Sequence, residues 1–452
     1  MTDETDDSSV RVLSGTHRPT AALLPQHRLR AADPGMPTGL LNTRPAPSRL
    51  ESQRALDWLN FFLAALLMGF GPFVASYLAD RGWTPANIGF VLTASGLAGL
   101  LTQVPAGELI DMTKSKLALV GTGLAALVLA ALIFALQPSL PSVFTAAVIL
   151  GTAGSVLGPG IAAISLGLVG HEALAERLGR NQRFASIGGI AAAGLMGVVG
   201  YLLSTREVFL VTAALGVPVL LALFRIRASE IHFARSCGAT DEHPTHPQRV
   251  SRAVLFKDRR LLSFAICLFL FQVANASILP LMGERLVHTE GRWSTLVLSA
   301  LIVGPQIIVA LLAPWVGRTA NSWGRRPLLL IGLGVVPIRS AAFALTADPT
   351  LLVVIQLLDG LSAATLGVLT TLVIADLTKG TGRFNLAQGL IGTLSGIGAS
   401  LSTSLSGLIV ERFGHTAGFL SVTTIGLMAV AILWIFMPET KPPTLQQTPA
   451  DG

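Results

Sequence analysis

The chain has 452 residues, of which 51% are hydrophobic and 13% charged, about half the charge of a soluble globular protein, so most of it is built to stay out of water. Its formal net charge of +7 is spread between apolar runs instead of gathered on one face, which excludes nucleic-acid binding as the reading. Two cysteines, Cys237 and Cys267, exclude a disulfide framework and a cysteine metal cluster.

Residues 1–54 are polar, carry Asp3, Glu4, Asp6 and Asp7 near the start, lack a signal-peptide pattern and read as a disordered tail. A bilayer core about 30 Å thick takes about 20 apolar residues in a helix. Runs of that length predict spans at 55–78, 85–109, 117–137, 141–169, 184–204 and 207–226 in a first half. A second half follows at 261–283, 293–316, 327–347, 350–376, 386–409 and 415–437, with a tail at 438–452. This is an all-α integral membrane protein of twelve transmembrane helices. The connectors are short except for 227–260, a central loop between halves 55–226 and 261–437. That loop holds His243 and His246 among prolines and reads as a solvated linker, with no metal site.

Basic residues set the orientation. With the N-terminus in the cytoplasm, the inside short loops hold ten of them, including Lys114, Lys116, Arg177, Arg180 and Arg183, and the region of the central loop holds eight more. The outside loops hold five: Arg81, Arg206, Arg285, Arg292 and Arg412. Both termini and the central loop are therefore expected in the cytoplasm, on a chain in the inner (plasma) membrane.

Two loops repeat. Gly107, Asp111, Lys114 and Lys116 lie between helices 2 and 3; Gly317, Asn321, Gly324, Arg325 and Arg326 lie between helices 8 and 9, 210 positions later. Arg180-Asn181 before helix 5 parallels Arg383-Phe384-Asn385 before helix 11, about 204 apart, with Gly188 and Gly194 opposite Gly392 and Gly398. Two parallel halves related by an axis normal to the membrane are expected. The paired loops resemble the loop signature of the major facilitator superfamily over residues 55–437, though each copy departs from it: Lys114 replaces the second Gly of the first copy and Asn321 replaces the Asp of the second. The resemblance implies a cytoplasmic gate of Gly107, Asp111, Lys116, Gly317, Asn321, Gly324, Arg325 and Arg326, in which acid and bases act on neighbouring helix ends.

A charge in mid-membrane is costly and usually functional. Counting depth places Arg339 in helix 9 and Asp359 in helix 10 at a similar level, so each can neutralise the other, either to fix packing or to open and close with a substrate or a proton. Gln356 shares a helical face with Asp359. Asn60, Gln103, Gln272, Asn275 and Gln306 add neutral polar groups in helices 1, 2, 7 and 8, which line or flank the central cavity in the family. Gly69-Phe70-Gly71-Pro72 and Gly158-Pro159-Gly160 are expected to bend helices 1 and 4. Helix 5 has no Pro, so the Gly-Pro signature of the family's antiporter branch is missing.

No Gly-x-x-x-x-Gly-Lys-Ser/Thr loop is present and no His/Asp/Glu cluster marks an enzyme. The expectation is a secondary transporter of a small organic, amphipathic solute working by alternating access. Proton coupling and export are favoured, in a monomer without cofactor. The alternative is a non-transporting membrane sensor on the same scaffold.

Overall fold

The computed structural model describes residues 47–137, 139–239, 250–251, 255, 257–282 and 294–441. Helices α1 (Pro47–Met68), α2 (Gly71–Asp80), α3 (Pro85–Met112), α4 (Lys116–Leu136), α5 (Leu140–Leu202) and α6 (Thr205–Phe224) form the N-terminal half. A 3₁₀ turn (Ala228–Glu230) and the one-turn α7 (Phe233–Ser236) lead on to α8 (Arg259–Asn275), α9 (Ser294–Trp323), α10 (Arg326–Leu345), α11 (Pro349–Leu377) and α12 (Phe384–Phe436). No strand occurs among the described residues.

The helices begin where short polar side chains can take up backbone N–H groups that have no partner in the first turn. The Thr84 hydroxyl accepts from the Asn87 amide at 3.3 Å, the Asp348 carboxylate from Leu351 at 3.0 Å, and Asp258 from Arg260 at 2.8 Å. Pro85 and Pro349 occupy first-turn positions, where a missing N–H costs nothing. The rod of α1 and α2 is interrupted at Gly69-Phe70, with Pro72 in the first turn of α2, as its Gly-Pro content predicts. By contrast, α5 continues through Gly158-Pro159-Gly160 without a non-helical residue there.

Among the described residues, ten helical stretches are long and apolar enough to cross a membrane. Two are too long to cross it once: α5 has 63 residues and α12 has 53, or about 95 and 80 Å at 1.5 Å per residue. Each contains a glycine in the left-handed region, Gly170 (φ 73°) and Gly414 (φ 83°), which a side chain would strain. The chain folds back at both. Asn181 Nδ2 donates to Ser165 Oγ at 2.8 Å, although sixteen residues of straight helix would hold them about 24 Å apart. Gly418 likewise lies against the Val410 side chain. Divided at these glycines, the rods give twelve crossings, and the break points fall at the ends of the predicted spans.

Three boundaries differ from expectation. Helix α1 begins at Pro47, so the polar tail loses residues 47–54 to it; residues 1–46 lie outside the described residues. Residues 171–183, read as a loop, are helical. Hydropathy marks only the bilayer-length part of a helix, and Ala, Leu, Glu and Arg carry this one past it. The central loop is ordered and packed over 228–239; His243 and His246 lie outside the described residues.

One apolar core fills the N-terminal half, and a second fills the C-terminal half with a contribution from α5. Large apolar side chains such as Leu101, Tyr201, Phe224, Leu311 and Leu345 point outward, as a lipid-facing surface requires. The halves meet along two seams, α3 against α12 and α5 against α9. Both are made by glycine at backbone contact. A Cβ on Gly107 would strike the Asn385 carbonyl, and one on Gly389 the Gln103 carbonyl. A Cβ on Gly317 would come within 2.5 Å of the Ala175 oxygen, and one on Gly179 within 2.5 Å of the Ala313 oxygen. Every residue of the first seam has its equivalent in the second 210 positions away. Gly188 and Gly398 are likewise 210 apart and press on the Phe61 and Phe269 carbonyls of the first helix of their own halves. The offset of 204 read for helices 5 and 11 is therefore corrected to 210: Asn385 is the partner of Ala175, not of Asn181.

Candidate functional site

Arg339 and Asp359 form an ion pair between α10 and α11. The two helices are antiparallel neighbours joined by a short turn, so residues a few turns from that turn meet at one depth. The guanidinium also donates to Gln356 Oε1 at 3.4 Å and to Asn275 Oδ1 of α8. Three acceptors on two helices thus share the one cation of α10. The two ends differ in access: the Arg339 side chain is 2% exposed and that of Asp359 is 25% exposed. Arginine is the fixed, enclosed charge, and the carboxylate is the less enclosed end. Arg339 Nε has no hydrogen-bond partner among the described residues.

The other polar candidates are scattered. Gln103 lines a 360 Å³ cavity between the halves together with Ser155, Thr370, Gln388 and Ser395. Its amide oxygen is buried without a donor among the described residues, and its side chain wedges against Gly392. Asn60 lines a neighbouring 340 Å³ cavity with Asn181, Gln182 and Thr371, while its own amide donates to the Leu56 carbonyl at 2.7 Å. Gly158 and Thr371 belong to both cavities. The interior between the halves is therefore mainly apolar, with amides and hydroxyls set into it, in keeping with the greasy cavity expected for an amphipathic solute. Gln272 lies beside Gly398, and Gln306 is half-buried in α9. Neither lines the cavities that hold Gln103 and Asn60.

At one end of the bundle the two loop motifs behave differently. Asp111 is buried and accepts from the Asn385 amide at 3.2 Å, the Leu386 amide at 2.9 Å and Asn385 Nδ2 at 2.8 Å. It caps the N-terminus of α12, where free N–H groups and the helix dipole favour an anion, and so ties one half to the other. Glu108 reinforces the tie through Arg383 at 3.3 Å. Lys116, expected as a gate base, is buried and donates to the Ile110 carbonyl and to Cys237 Sγ at 3.4 Å.

The second motif makes no matching cap. Asn321 is exposed and makes no hydrogen bond to α5. Arg325 pairs with Asp376 at 2.8 Å, and Arg326 lies 5.5 Å over the Trp434 ring. Gly324, at φ 97°, lets the Glu439 carboxylate approach. Glu439 then accepts from the Arg325 and Arg326 amides at 2.8 and 3.1 Å. Burial raises its pKa, but hydrogen bonds from the amides of Arg325, Lys441, Arg326 and Thr440 outweigh that and hold it below the ordinary value. These contacts stay within the C-terminal half, so Arg325 and Arg326 are struts there and only Gly317 reaches across.

Two features escaped the sequence reading. The segment 228–239 is inserted beneath the seam. His232 donates its amide to the Gly167 carbonyl at 3.1 Å, the Cys237 carbonyl accepts from Phe384 at 3.1 Å, and the Ser236 carbonyl accepts from Asn385 Nδ2 at 3.0 Å. Cys237 is fully buried and donates Sγ–H to the Asp111 carbonyl at 3.2 Å; burial pushes its thiol pKa up. Secondly, Asp57 in α1 is buried between Arg177 and Arg180, and Arg177 continues to Asn181 Oδ1 at 2.8 Å. Arg177, counted as a loop charge, is an interior residue. The available signal was Asp57, an acid two residues inside a predicted span.

The described residues contain no His/Cys/Asp/Glu cluster able to hold a metal. The sequence matches the family model of the Major Facilitator Superfamily over residues 57–288 and 264–452. It is 38% identical over 390 residues to an uncharacterized MFS-type transporter of Mycobacterium tuberculosis strain H37Rv, covering 86% of this chain and 93% of that one. It is 25% identical over 378 residues to the multidrug resistance protein MdtG of Salmonella schwarzengrund, covering 79% and 90%. In fold it is similar to the Escherichia coli fucose:proton symporter FucP, with TM-score 0.69, 15% identity and coverage of 86% and 100%. Twelve crossings in two halves, glycine seams at a constant offset and these matches converge: the chain is a multi-pass membrane transporter that belongs to the major facilitator superfamily.

Proposed function

We propose that this protein moves a small organic solute across the plasma membrane by alternating access, coupled to protons through Asp359, with export the favoured direction. The observation that carries the reading is the unequal ion pair. A buried, permanently charged guanidinium holds a carboxylate that is less enclosed, so a proton arriving at Asp359 would break the pair and leave Arg339 held by Asn275 and Gln356 alone. Such a switch needs two arrangements of similar energy, and the amide acceptors, which already hold the guanidinium, would keep it from being left without partners in the second. The solute would sit between the halves against Gln103, Gln182, Gln388 and the threonines of α11. A mostly apolar lining with amides and hydroxyls set into it favours an amphipathic molecule with hydrogen-bond donors, and the unpaired Gln103 oxygen asks for one of them. The relationship to a multidrug resistance protein supports export of such a molecule. Asp111, Gly107 and the 228–239 segment would form the cytoplasmic gate, shut in this conformation.

The test is transport of a compound panel in proteoliposomes with a pH-sensitive dye inside. The expected result is proton movement that depends on compound and accumulation that depends on the pH gradient. The double variant Arg339→Gln with Asp359→Asn removes the charges as a pair, which buried sites commonly tolerate. It should keep exchange of compound across the membrane and lose accumulation driven by the gradient. Full gradient-driven accumulation in that variant would remove Asp359 from coupling. Absence of movement of any compound by wild-type protein would instead favour the sensor reading.

A further inference from the structure

A 910 Å³ groove opens on the outside of the bundle between α1 and α6, away from the seams and the interior cavities. Two helical stripes build it, each running from apolar to charged in the same direction. On α1 the stripe is Phe62, Trp58, Ala55, Arg54 and Glu51, at the three- and four-residue spacing of one helix face. On α6 it is Pro218, Leu221 and Ala222, ending at Arg225 and Arg227 just past the helix. The apolar part is open to the surroundings: Trp58 is 50% exposed and Phe224 77% exposed. One part of the charged rim is held in place. Arg227 donates its backbone amide to the buried Ser52 hydroxyl at 3.1 Å and its guanidinium to Glu51 at 3.0 Å. With Glu51 answering one guanidinium, Arg54, Arg225 and Arg227 leave a net charge of +2 over a greasy slot at the end of a membrane span.

We propose that this groove binds an anionic phospholipid of the adjacent leaflet, with its phosphate and headgroup on Arg54, Arg225 and Arg227 and its acyl chains on Trp58 and Phe224. A free phosphate would use only the rim, and a zwitterionic lipid would bring its own cation to a site that already has an excess. Only an anionic lipid matches both the charge and the apolar slot. The site lies outside the transport path and does not depend on what the protein carries.

The experiment reconstitutes the full chain in vesicles of phosphatidylcholine with one fifth phosphatidylglycerol, extracts it in mild detergent, and counts lipid bound per protein by native mass spectrometry. Wild-type protein should keep one phosphatidylglycerol and no phosphatidylcholine. Arg54→Gln with Arg225→Gln should lower retention about fivefold for each guanidinium removed. Arg54→Lys with Arg225→Lys, which keeps the charge and the folded protein, should restore most of it. Glycerol 3-phosphate in excess should not displace the lipid. The proposal is overturned by equal retention in the Gln and wild-type proteins, or by equal retention of the two lipids. Complete displacement by glycerol 3-phosphate would also overturn it, marking a soluble-phosphate site. So would lipid that binds only after deletion of residues 1–46, which would make the acidic N-terminal stretch the occupant.

Discussion

A guanidinium keeps its proton at any working pH, whereas a carboxylate can accept one, so the two members of the Arg339–Asp359 pair are not equally dispensable. Asp359→Asn leaves a fixed charge enclosed with only neutral acceptors, at a cost of about 3–5 kcal/mol. Arg339→Ala leaves a carboxylate that is partly exposed and free to protonate, and should cost less. In a detergent melting experiment Asp359→Asn should therefore melt below Arg339→Ala, and the double variant with Arg339→Gln should recover toward wild type. The reverse order would show that the guanidinium is better compensated than its surroundings indicate. Glu439 offers a pH readout outside the membrane. Its pKa in the folded protein lies below the free value of 4.5, so it adds stability above pH 4.5 that is lost as pH falls through the folded value. Glu439→Gln should melt below wild type at pH 7, and the gap should close as pH drops below 4.5. A gap independent of pH would mean that the carboxylate charge is not what the four amides hold. The ion pair of α10 and α11 was legible in the sequence because an acid and a base at equal depth in adjoining apolar runs lose their hydration together and stabilise each other by pairing. Asp57–Arg177 was not, because a basic residue beyond a hydropathy peak looks topogenic whether it points to water or inward.

At the scale of elements, Asp111 is the cap of α12 and the neighbour of the inserted 228–239 segment. Releasing that cap should loosen the insertion. Asp111→Ala removes the acceptor of three hydrogen bonds, one charge-assisted end of each, and such bonds contribute about 1.5–3 kcal/mol. In a Cys267→Ser background, where Cys237 is the single thiol, wild-type protein should react slowly with maleimide because Cys237 is fully buried and its thiol is kept protonated. Asp111→Ala should raise that rate about tenfold or more and lower transport, while membrane levels stay normal. Unchanged reactivity would mean that the segment is held by its own backbone bonds and not by the cap. The membrane spans and the break at Gly69 were legible because length, apolarity and Gly-Pro content leave a local record. The docking of 228–239 was not. It depends on main-chain groups of Gly167, Phe384 and Gly380, which any sequence could supply, and its own composition looks like a linker. Gly107 could be recognised as a close-packing residue, but not which carbonyl it meets.

At the scale of the molecule, the constant offset of 210 means that each half presents the same two glycines to the other, once along α3 and α12 and once along α5 and α9. A seam of backbone on backbone has no long side chains to untangle, which suits two rigid halves that rock against each other. The seams are equivalent but their end contacts are not: Asp111 caps α12, whereas Asn321 caps no helix among the described residues. The end marked by Asp111 is thus fastened chiefly on one side, and loosening that side should open it. From the charge asymmetry of the sequence we expect this end in the cytoplasm, together with residue 240 and the C-terminus. Sidedness and opening can be read in one experiment. In the Cys267→Ser protein carrying Gly107→Ala, the new methyl group presses on the Asn385 carbonyl and biases this end toward opening. A membrane-impermeant maleimide should then label Cys237 in inside-out vesicles and not in intact cells, faster than in the Gly107 protein. Reporter fusions at residue 240 and at the C-terminus should both give cytoplasmic signals. Labelling from the outside, or an external signal from either fusion, would invert the assignment of the gate and make the Asp111 end the outer mouth. Equal labelling with and without Gly107→Ala would keep the topology but show that the α3–α12 seam yields without opening this end.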